Sequence, residues 1–307
     1  MIYMQYRKSS TKSQSNEKMK LFTGTRNDRT VAGWLDGETA VICAEGAEAE
    51  GAVLGMIAGG AAARADWAAR QGPRVPLAQI RLMAPIPQPR RDIFCVGKNY
   101  HAHAAEFHKS GFDSSAKEVV PSAPVIFTKA TTSVVGPGDV VRATIDPTET
   151  VDYEGELGVV IASRAFGVTR AQAMEHVFGY VIINDVTSRE LQKRHNQWVI
   201  GKGCDTFCPM GPFIATADEV GDPAALELTT DINGERRQSA RVSDLIFDIP
   251  TLIETLSQTI TLLPGDIIAT GTPVGVGIGF SPPKYLRPGD QMRVAITGLG
   301  VLENPVG

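Results

Sequence analysis

The sequence predicts an α+β protein that is mainly β, with a small N-terminal α+β domain ahead of a larger domain of mixed, rolled sheet. Three observations predict this. Leu157 to Ala162 and Tyr180 to Ile183 are continuously apolar and rich in β-branched residues, as strands covered on both faces are. The tripeptide Pro-Gly-Asp occurs three times, at 137–139, 264–266 and 288–290, each time ahead of a run such as VVRA, IIAT or QMRVAI. Pro followed by Gly suits a type II turn, so each copy reads as a turn that launches a strand. Helical patterns are few.

Taken in order, residues 1–20 are polar and basic and lack the apolar stretch of a secretory signal, so they are expected to form a disordered extension. Met19 opens MKLFTG, which reads as an alternative start. Residues 21–87 are expected to form the small first domain. Short strand patterns at Thr30–Gly37 and Thr39–Ala44 precede an Ala-rich helical stretch, Gly51–Gln71. Pro85, Pro87 and Pro89, with Arg90 and Arg91, read as a stiff linker into the second domain, residues 88–307. Helices are expected there at Arg170–Val177, Ser188–Arg194 and Ile249–Ser257, the last with a proline in its first turn.

The chain has 307 residues and a net charge of −4 with no basic block, which argues against nucleic acid or an anionic membrane as a partner. No apolar run approaches the ~20 residues of a membrane helix, and a cytoplasmic protein is expected. Cys204 and Cys208 are spaced C-x₃-C, but no second pair completes a zinc set, so all four cysteines read as free thiols.

The most informative segment is VDYEGELGVVI, residues 151–161. Glu154 and Glu156 stand two apart, a spacing that puts side chains on one face of a strand. Asp185 closes the apolar run that follows. Paired acids of this kind are often the solvated face of an edge strand, but the apolar flanks argue for burial. Three buried carboxylates repel unless a cation lies between them, and a hard divalent ion with oxygen ligands answers that need. His103 and Glu106 are i, i+3 on an expected helix and so share a face. A carboxylate beside an imidazole orients the ring and raises its basicity, as general-base chemistry requires. His101 and His108 are neighbouring rivals, and an ordinary surface pair has the same spacing.

In this setting the chain resembles the fumarylacetoacetate hydrolase family. Six segments carry the likeness in order: FCVGKNYHAHAAEF, PVIFTKATTSVVGPGD, VDYEGELGVVI, GYVIINDVTSRELQ, GKGCDTFCPMGPF and LLPGDIIATGTPVGVG. They span Asp92 to the C-terminus. The resemblance implies the family's mixed β-sandwich roll, a homodimer, and a small-molecule 2-oxo acid substrate. It implies that Glu154, Glu156 and Asp185 hold Mg²⁺ or Mn²⁺ and that His103 and Glu106 activate water. Lys129 and Lys202 match basic residues lining the site, Arg189, Gln192 and Thr272 match substrate-contacting positions, and residues 106–120 match a lid. On this basis the expected activity is hydrolysis of a C–C bond in a β-diketo acid, such as an acylpyruvate or fumarylpyruvate, through a metal-stabilised enolate. Lys202 or Lys129 would hold the oxyanion. Oxaloacetate decarboxylation, or isomerisation or hydration of a 2-oxo-dienoate, would use the same cation, and a non-catalytic ligand-binding protein is the reading from another class.

Overall fold

The structure is a computed structural model that describes residues 18–113 and 118–307. The extension expected at 1–20 lies, up to residue 17, outside the described residues. Met19 is buried, with its N–H on the Thr216 hydroxyl at 3.1 Å, and Lys20 opens the first strand. Part of the expected lid, 114–117, also falls outside them.

The fold is mainly β. One large mixed sheet runs, from edge to edge, through Arg74–Pro76, Thr39–Glu45, Arg29–Asp36, Lys20–Arg26, Cys208–Thr216, Val177–Asn184, Gly155–Ile161, Ile267–Ala269, Ile93–Gly97 and Val125–Lys129. Its neighbours along this path are antiparallel except Ile267–Ala269 beside Ile93–Gly97, which are parallel. The N-terminal strands join this sheet through Leu21, which pairs with Ile214. A second, antiparallel sheet orders Glu235–Arg241, Glu227–Ile232, Gln291–Ile296 and Gly300–Pro305. Val151–Asp152 and Thr187–Ser188 form a short ribbon between sheet and site.

The two apolar runs lie side by side at the centre, Gly155 opposite Asn184 and Leu157 opposite Ile182. Both faces are covered. Leu157, Val159 and Ile182 pack with Leu228, Val294 and Leu302 of the second sheet. Val160, Val181 and Ile183 pack with Val53, Met56 and Ile57 of the helix Ala52–Ala58. The alternation is the period-2 pleat, and each fully buried aliphatic side chain stabilises the fold by roughly 1.5–3 kcal/mol.

Gly138, Gly265 and Gly289 all take positive φ, as the Pro-Gly-Asp turns require. Two of the three turns launch the expected strands. After the first, VVRA forms only an isolated bridge, Val141 to Val306, because Ala143–Ile145 folds into a 3-10 turn. The helix expected at Arg170–Val177 is likewise reduced to a 3-10 turn, Ala173–His176, since Val177 is already the first residue of a central strand. Ser188–Arg194 and Ile249–Ser257 are helical nearly as expected. Among the described residues no helix is long and apolar enough to cross a membrane.

Candidate active site

Glu154, Glu156 and Asp185 converge at the end of the central strands, with ligand-capable oxygens within 4.8 Å of one another. Glu154 is not within the strand, as its spacing suggested, but in the gap between Val151–Asp152 and Gly155–Ile161. The gap is held extended from the neighbouring chain. The Glu154 N–H donates to Asn184 Oδ1 at 2.9 Å, and the Asp185 N–H donates to the Glu154 carbonyl at 2.8 Å. All three carboxylates are buried.

Their electrostatic surroundings differ. Lys202 Nζ donates to Glu154 Oε2 at 2.7 Å and to Asp185 Oδ2 at 2.8 Å. Arg189 Nη2 lies 2.7 Å from Glu154 Oε1. Burial pushes the Glu154 carboxyl up, but Lys202 and Arg189 outweigh it and hold it at about 2. Glu156 accepts a backbone N–H from Gly271 at 2.8 Å and has no ion pair among the described residues. Burial, and then the charges of Asp185 and Glu154, push its carboxyl well above the usual range. Four buried carboxylates, Asp152 included, therefore face three buried cations, Lys129, Arg189 and Lys202. A divalent cation beside Glu156 reverses that deficit and leaves charge for an anionic ligand to meet. Buried oxygens and a missing positive charge fit Mg²⁺-like ions.

This arrangement has a pH signature. The raised pKa of Glu156 contributes stability to the metal-free protein that is complete below the ordinary carboxyl range and is lost as pH rises through the raised value. Glu154 acts oppositely: its contribution is present above the ordinary range and is lost as pH falls toward about 2. Cation binding needs the Glu156 carboxylate and displaces its proton. Cation affinity measured by calorimetry is expected to rise with pH, by up to about tenfold per unit below the raised pKa. A flat profile across the acid range would contradict this.

Beside the triad a narrow cleft is lined by Lys98, His103, Glu154, Arg189, Lys202 and Thr272, with Gln192 also at its wall. His103 and Glu106 come from the helix His101–Ser110, which ends at Gly111 with φ 77°, the left-handed C-terminal stop. His103 Nδ1 is 3.2 Å from Glu106 Oε2. If Nδ1 carries the proton to Glu106, Nε2 keeps a lone pair. Glu106 is itself held by the Gly275 N–H at 3.0 Å. Gly275 has φ 107°, and a Cβ there would stand 2.0 Å from the Arg237 carbonyl, so only glycine lets this loop close on Glu106.

The remaining expected residues divide. Arg189 and Gln192 stand together, Nη1 on Oε1 at 3.3 Å. Lys202 keeps one N–H beyond its two carboxylates and lines the cleft. Thr272 lines it too, but its hydroxyl donates to the Gly155 carbonyl at 2.9 Å and accepts from Gln238 at 2.8 Å. Lys129 differs from expectation. Its ammonium has three donors, and they go to Asp185 Oδ1 at 2.6 Å, the Val186 carbonyl at 3.0 Å and the Lys202 carbonyl. It braces Asp185 and has no donor left for a ligand.

A family model described as fumarylacetoacetate (FAA) hydrolase, C-terminal, matches residues 92–307. The chain belongs to the fumarylacetoacetate hydrolase family. Among curated members, the oxaloacetate tautomerase YisK of Bacillus subtilis is 46% identical over 248 residues, spanning 79% of this chain and 80% of that protein. Among solved structures, the fumarylacetoacetate hydrolase of Exiguobacterium antarcticum is 38% identical with a TM-score of 0.77, covering 94% of this chain and 99% of that one. The maleylpyruvate hydrolase of Sphingobium sp. SYK-6, solved with manganese(II) and pyruvate, is 32% identical with a TM-score of 0.75, covering 94% and 98%.

Sequence reasoning missed Asp152. In this member of the family it is fully buried and joins three parts of the site. Oδ2 accepts from Arg189 Nε at 2.9 Å and from the Ile278 N–H at 3.1 Å, and Oδ1 accepts from the Gly277 N–H at 2.6 Å. It thus fixes the cleft-lining arginine and the loop whose Gly275 holds Glu106. Burial pushes its carboxyl up although Arg189 pulls it down. Asp152→Asn keeps the shape but leaves Arg189 short of a counter-charge. It is expected to cost about 3 kcal/mol of stability, read as a lower urea midpoint, and to lower kcat/KM. An unchanged midpoint would show that the pair is not what fixes the loop. The only early signal was an acid at the start of VDYEGE, and its partners lie far along the chain.

The cysteines are free thiols. Burial pushes Cys43 up to about 11 and Cys208 up to about 12, so neither offers a thiolate near neutral pH.

Proposed function

We propose that this protein is a divalent-cation-dependent enzyme of small 2-oxo acids that moves a proton at the carbon beside the 2-oxo group, with oxaloacetate keto–enol tautomerisation as its reaction. The observation that carries the reading is that His103, paired behind the cleft with Glu106, opens onto the cleft that Lys202, Arg189 and Glu154 line. The identity to a relative named oxaloacetate tautomerase supports the substrate.

A cation at Glu154, Glu156 and Asp185, Mg²⁺ or Mn²⁺, would supply Lewis-acid stabilisation of the negative charge on the 2-oxo oxygen. The chain's own residues do the rest. His103 Nε2 takes the C3 proton of the keto form, and the 2-oxo oxygen takes one from solvent to complete the enol; in reverse the enol O–H gives its proton to solvent and His103 returns one to C3. Glu106 holds the imidazole in the orientation and protonation state that leave Nε2 free. The remaining N–H of Lys202 would serve the oxygen on which charge builds, and a preorganised donor of this kind is worth roughly 10²–10³ in rate. Arg189 and Gln192 orient the carboxylate.

C–C hydrolysis of a β-diketo acid, the reading with which the sequence led, is kept as the second. It is favoured by the same pair, which could activate water, and by the likeness to the maleylpyruvate hydrolase. Oxaloacetate decarboxylation would use the same groups. We take the protein as a cytoplasmic homodimer with no nucleic-acid or membrane partner.

The test is an ultraviolet assay of enol absorbance with oxaloacetate and acetylpyruvate in turn, in Mg²⁺, with pyruvate assayed as product. Faster equilibration of oxaloacetate without pyruvate release supports tautomerisation. Release of pyruvate from acetylpyruvate gives the site to hydrolysis. No acceleration with either substrate would overturn the 2-oxo acid reading.

A further inference from the structure

We infer that Phe280, held by Arg237 and Lys284 outside the cleft, is a positioning residue for Glu106 and, through Glu106, for His103. The inference rests on the reading of His103–Glu106 as the proton carrier and extends that pair to residues that do not line the cleft.

The Glu106 carboxylate is placed by a loop as much as by its own helix. The Gly275 N–H reaches both of its oxygens, at 3.0 and 3.3 Å. Gly279 lies so close that a Cβ there would overlap Glu106 Oε1. The Gly275 carbonyl accepts the Tyr153 hydroxyl at 2.8 Å. Where residues 275–279 go, the carboxylate goes. Yet this stretch carries three glycines, at 275, 277 and 279, and one short 3-10 turn, Gly277–Gly279. Glycine loses more conformational freedom on ordering than any other residue, so the loop needs outside support. Asp152 supplies it at Gly277 and Ile278. The other support is the residue that follows Gly279.

Phe280 is half-buried, and two cations sit on its ring. Arg237 Cζ is 4.9 Å from the ring centroid and Lys284 Nζ is 4.7 Å from it. Glu235 joins the two cations, its Oε2 2.9 Å from Arg237 Nη2 and its Oε1 accepting from Lys284 Nζ at 3.0 Å. The Lys284 N–H also donates to the Gly277 carbonyl at 2.9 Å, which closes the loop on itself. None of these four side chains lines the cleft.

Arg237 carries most of the grip. Its side chain is 10% exposed, against 44% for Lys284 and 54% for Glu235. Its Nε and Nη1 are buried and have no hydrogen-bond partner among the described residues, so the face of Phe280 and the Glu235 carboxylate are what meet the guanidinium there. A desolvated guanidinium lies at the strong end of the range for a cation on a ring, and an exposed ammonium at the weak end. The half-exposed Glu235–Lys284 pair would by itself contribute little. Arg237 also presents the backbone carbonyl against which Gly275 closes, so ring, loop and Glu106 anchor share one strand, Glu235–Arg241.

The experiment compares Phe280→Leu, which keeps apolar bulk but has no ring, with Phe280→Trp, which keeps a ring face for both cations. Hydrogen exchange of the 275–279 amides needs no substrate. It is expected to quicken about five- to tenfold in Phe280→Leu, the loss of a desolvated cation–ring contact, and to stay near native in Phe280→Trp. With oxaloacetate and Mg²⁺, Phe280→Leu should lower kcat by a similar factor while KM and cation affinity stay within about twofold, and Phe280→Trp should restore kcat. In a Glu106→Ala background Phe280→Leu should add no further loss, because it acts through that carboxylate. Native exchange or native kcat in Phe280→Leu, or a loss that multiplies with that of Glu106→Ala, would overturn the inference and leave the 2-oxo acid reading standing. If the native protein turns over neither oxaloacetate nor acetylpyruvate, that reading falls and the exchange result alone decides the inference. Should Phe280→Leu not fold, Lys284→Met removes the exposed cation and is expected to quicken exchange about twofold; exchange no faster than native there overturns the inference.

Discussion

Glu156→Gln is expected to remove divalent-cation affinity, by roughly a hundredfold or more, without lowering the stability of the metal-free protein. Supporting residues of a metal site already cost 10–100-fold when changed, and a ligand should cost at least as much. The second half of the expectation is the more distinctive. Glu156 is buried and, among the described residues, has no ion pair, and its hydrogen bond from Gly271 can equally be accepted by an amide oxygen. Gln therefore deletes a charge whose burial, and whose repulsion by Asp185 and Glu154, outweigh its attraction to Lys202. Thermal unfolding in EDTA should give a Tm equal to or above that of the native protein, while calorimetry with Mg²⁺ shows little binding. Glu154→Gln should behave in the opposite way in EDTA. It takes a partner from both Lys202 and Arg189, and breaking a buried pair costs about 3–5 kcal/mol. If both variants lost stability alike, the assignment of Glu156 as the acid awaiting a cation would be wrong.

The second large effect belongs to the proton carrier. His103→Ala is expected to lower kcat by about 10²–10⁴, with cation affinity nearly unchanged because His103 is not among the three clustered acids. Glu106→Gln should give a smaller loss. Gln still accepts from Gly275 but no longer stabilises the protonated ring. The split between kcat and cation affinity is the informative readout. Parallel loss of both would place His103 in the metal site instead.

The sequence made the central strands and the acids between them legible because burial on both faces leaves an unmistakable apolar run, and a carboxylate inside such a run needs a reason. Helical spacing likewise brought His103 to Glu106. The rest depended on pairing between distant segments. Lys129 follows an apolar VIF, but nothing local shows that Asp185 and two carbonyls take its three donors. Asp152 reads as an ordinary strand-end acid until Arg189 and the 277–278 loop are folded onto it. The VVRA and Arg170–Val177 segments failed for the same reason: β-branched or helical propensity was overruled by neighbours already committed to the sheet.

The most direct test of the central claim is the rate of oxaloacetate keto–enol equilibration by protein stripped with EDTA and then given back Mg²⁺ or Mn²⁺. The account predicts no acceleration over buffer in the stripped protein, recovery on adding the cation, and no recovery in Glu156→Gln. Full acceleration in EDTA, or recovery in Glu156→Gln equal to that of the native protein, would contradict the claim that Glu154, Glu156 and Asp185 hold a cation on which the chemistry depends.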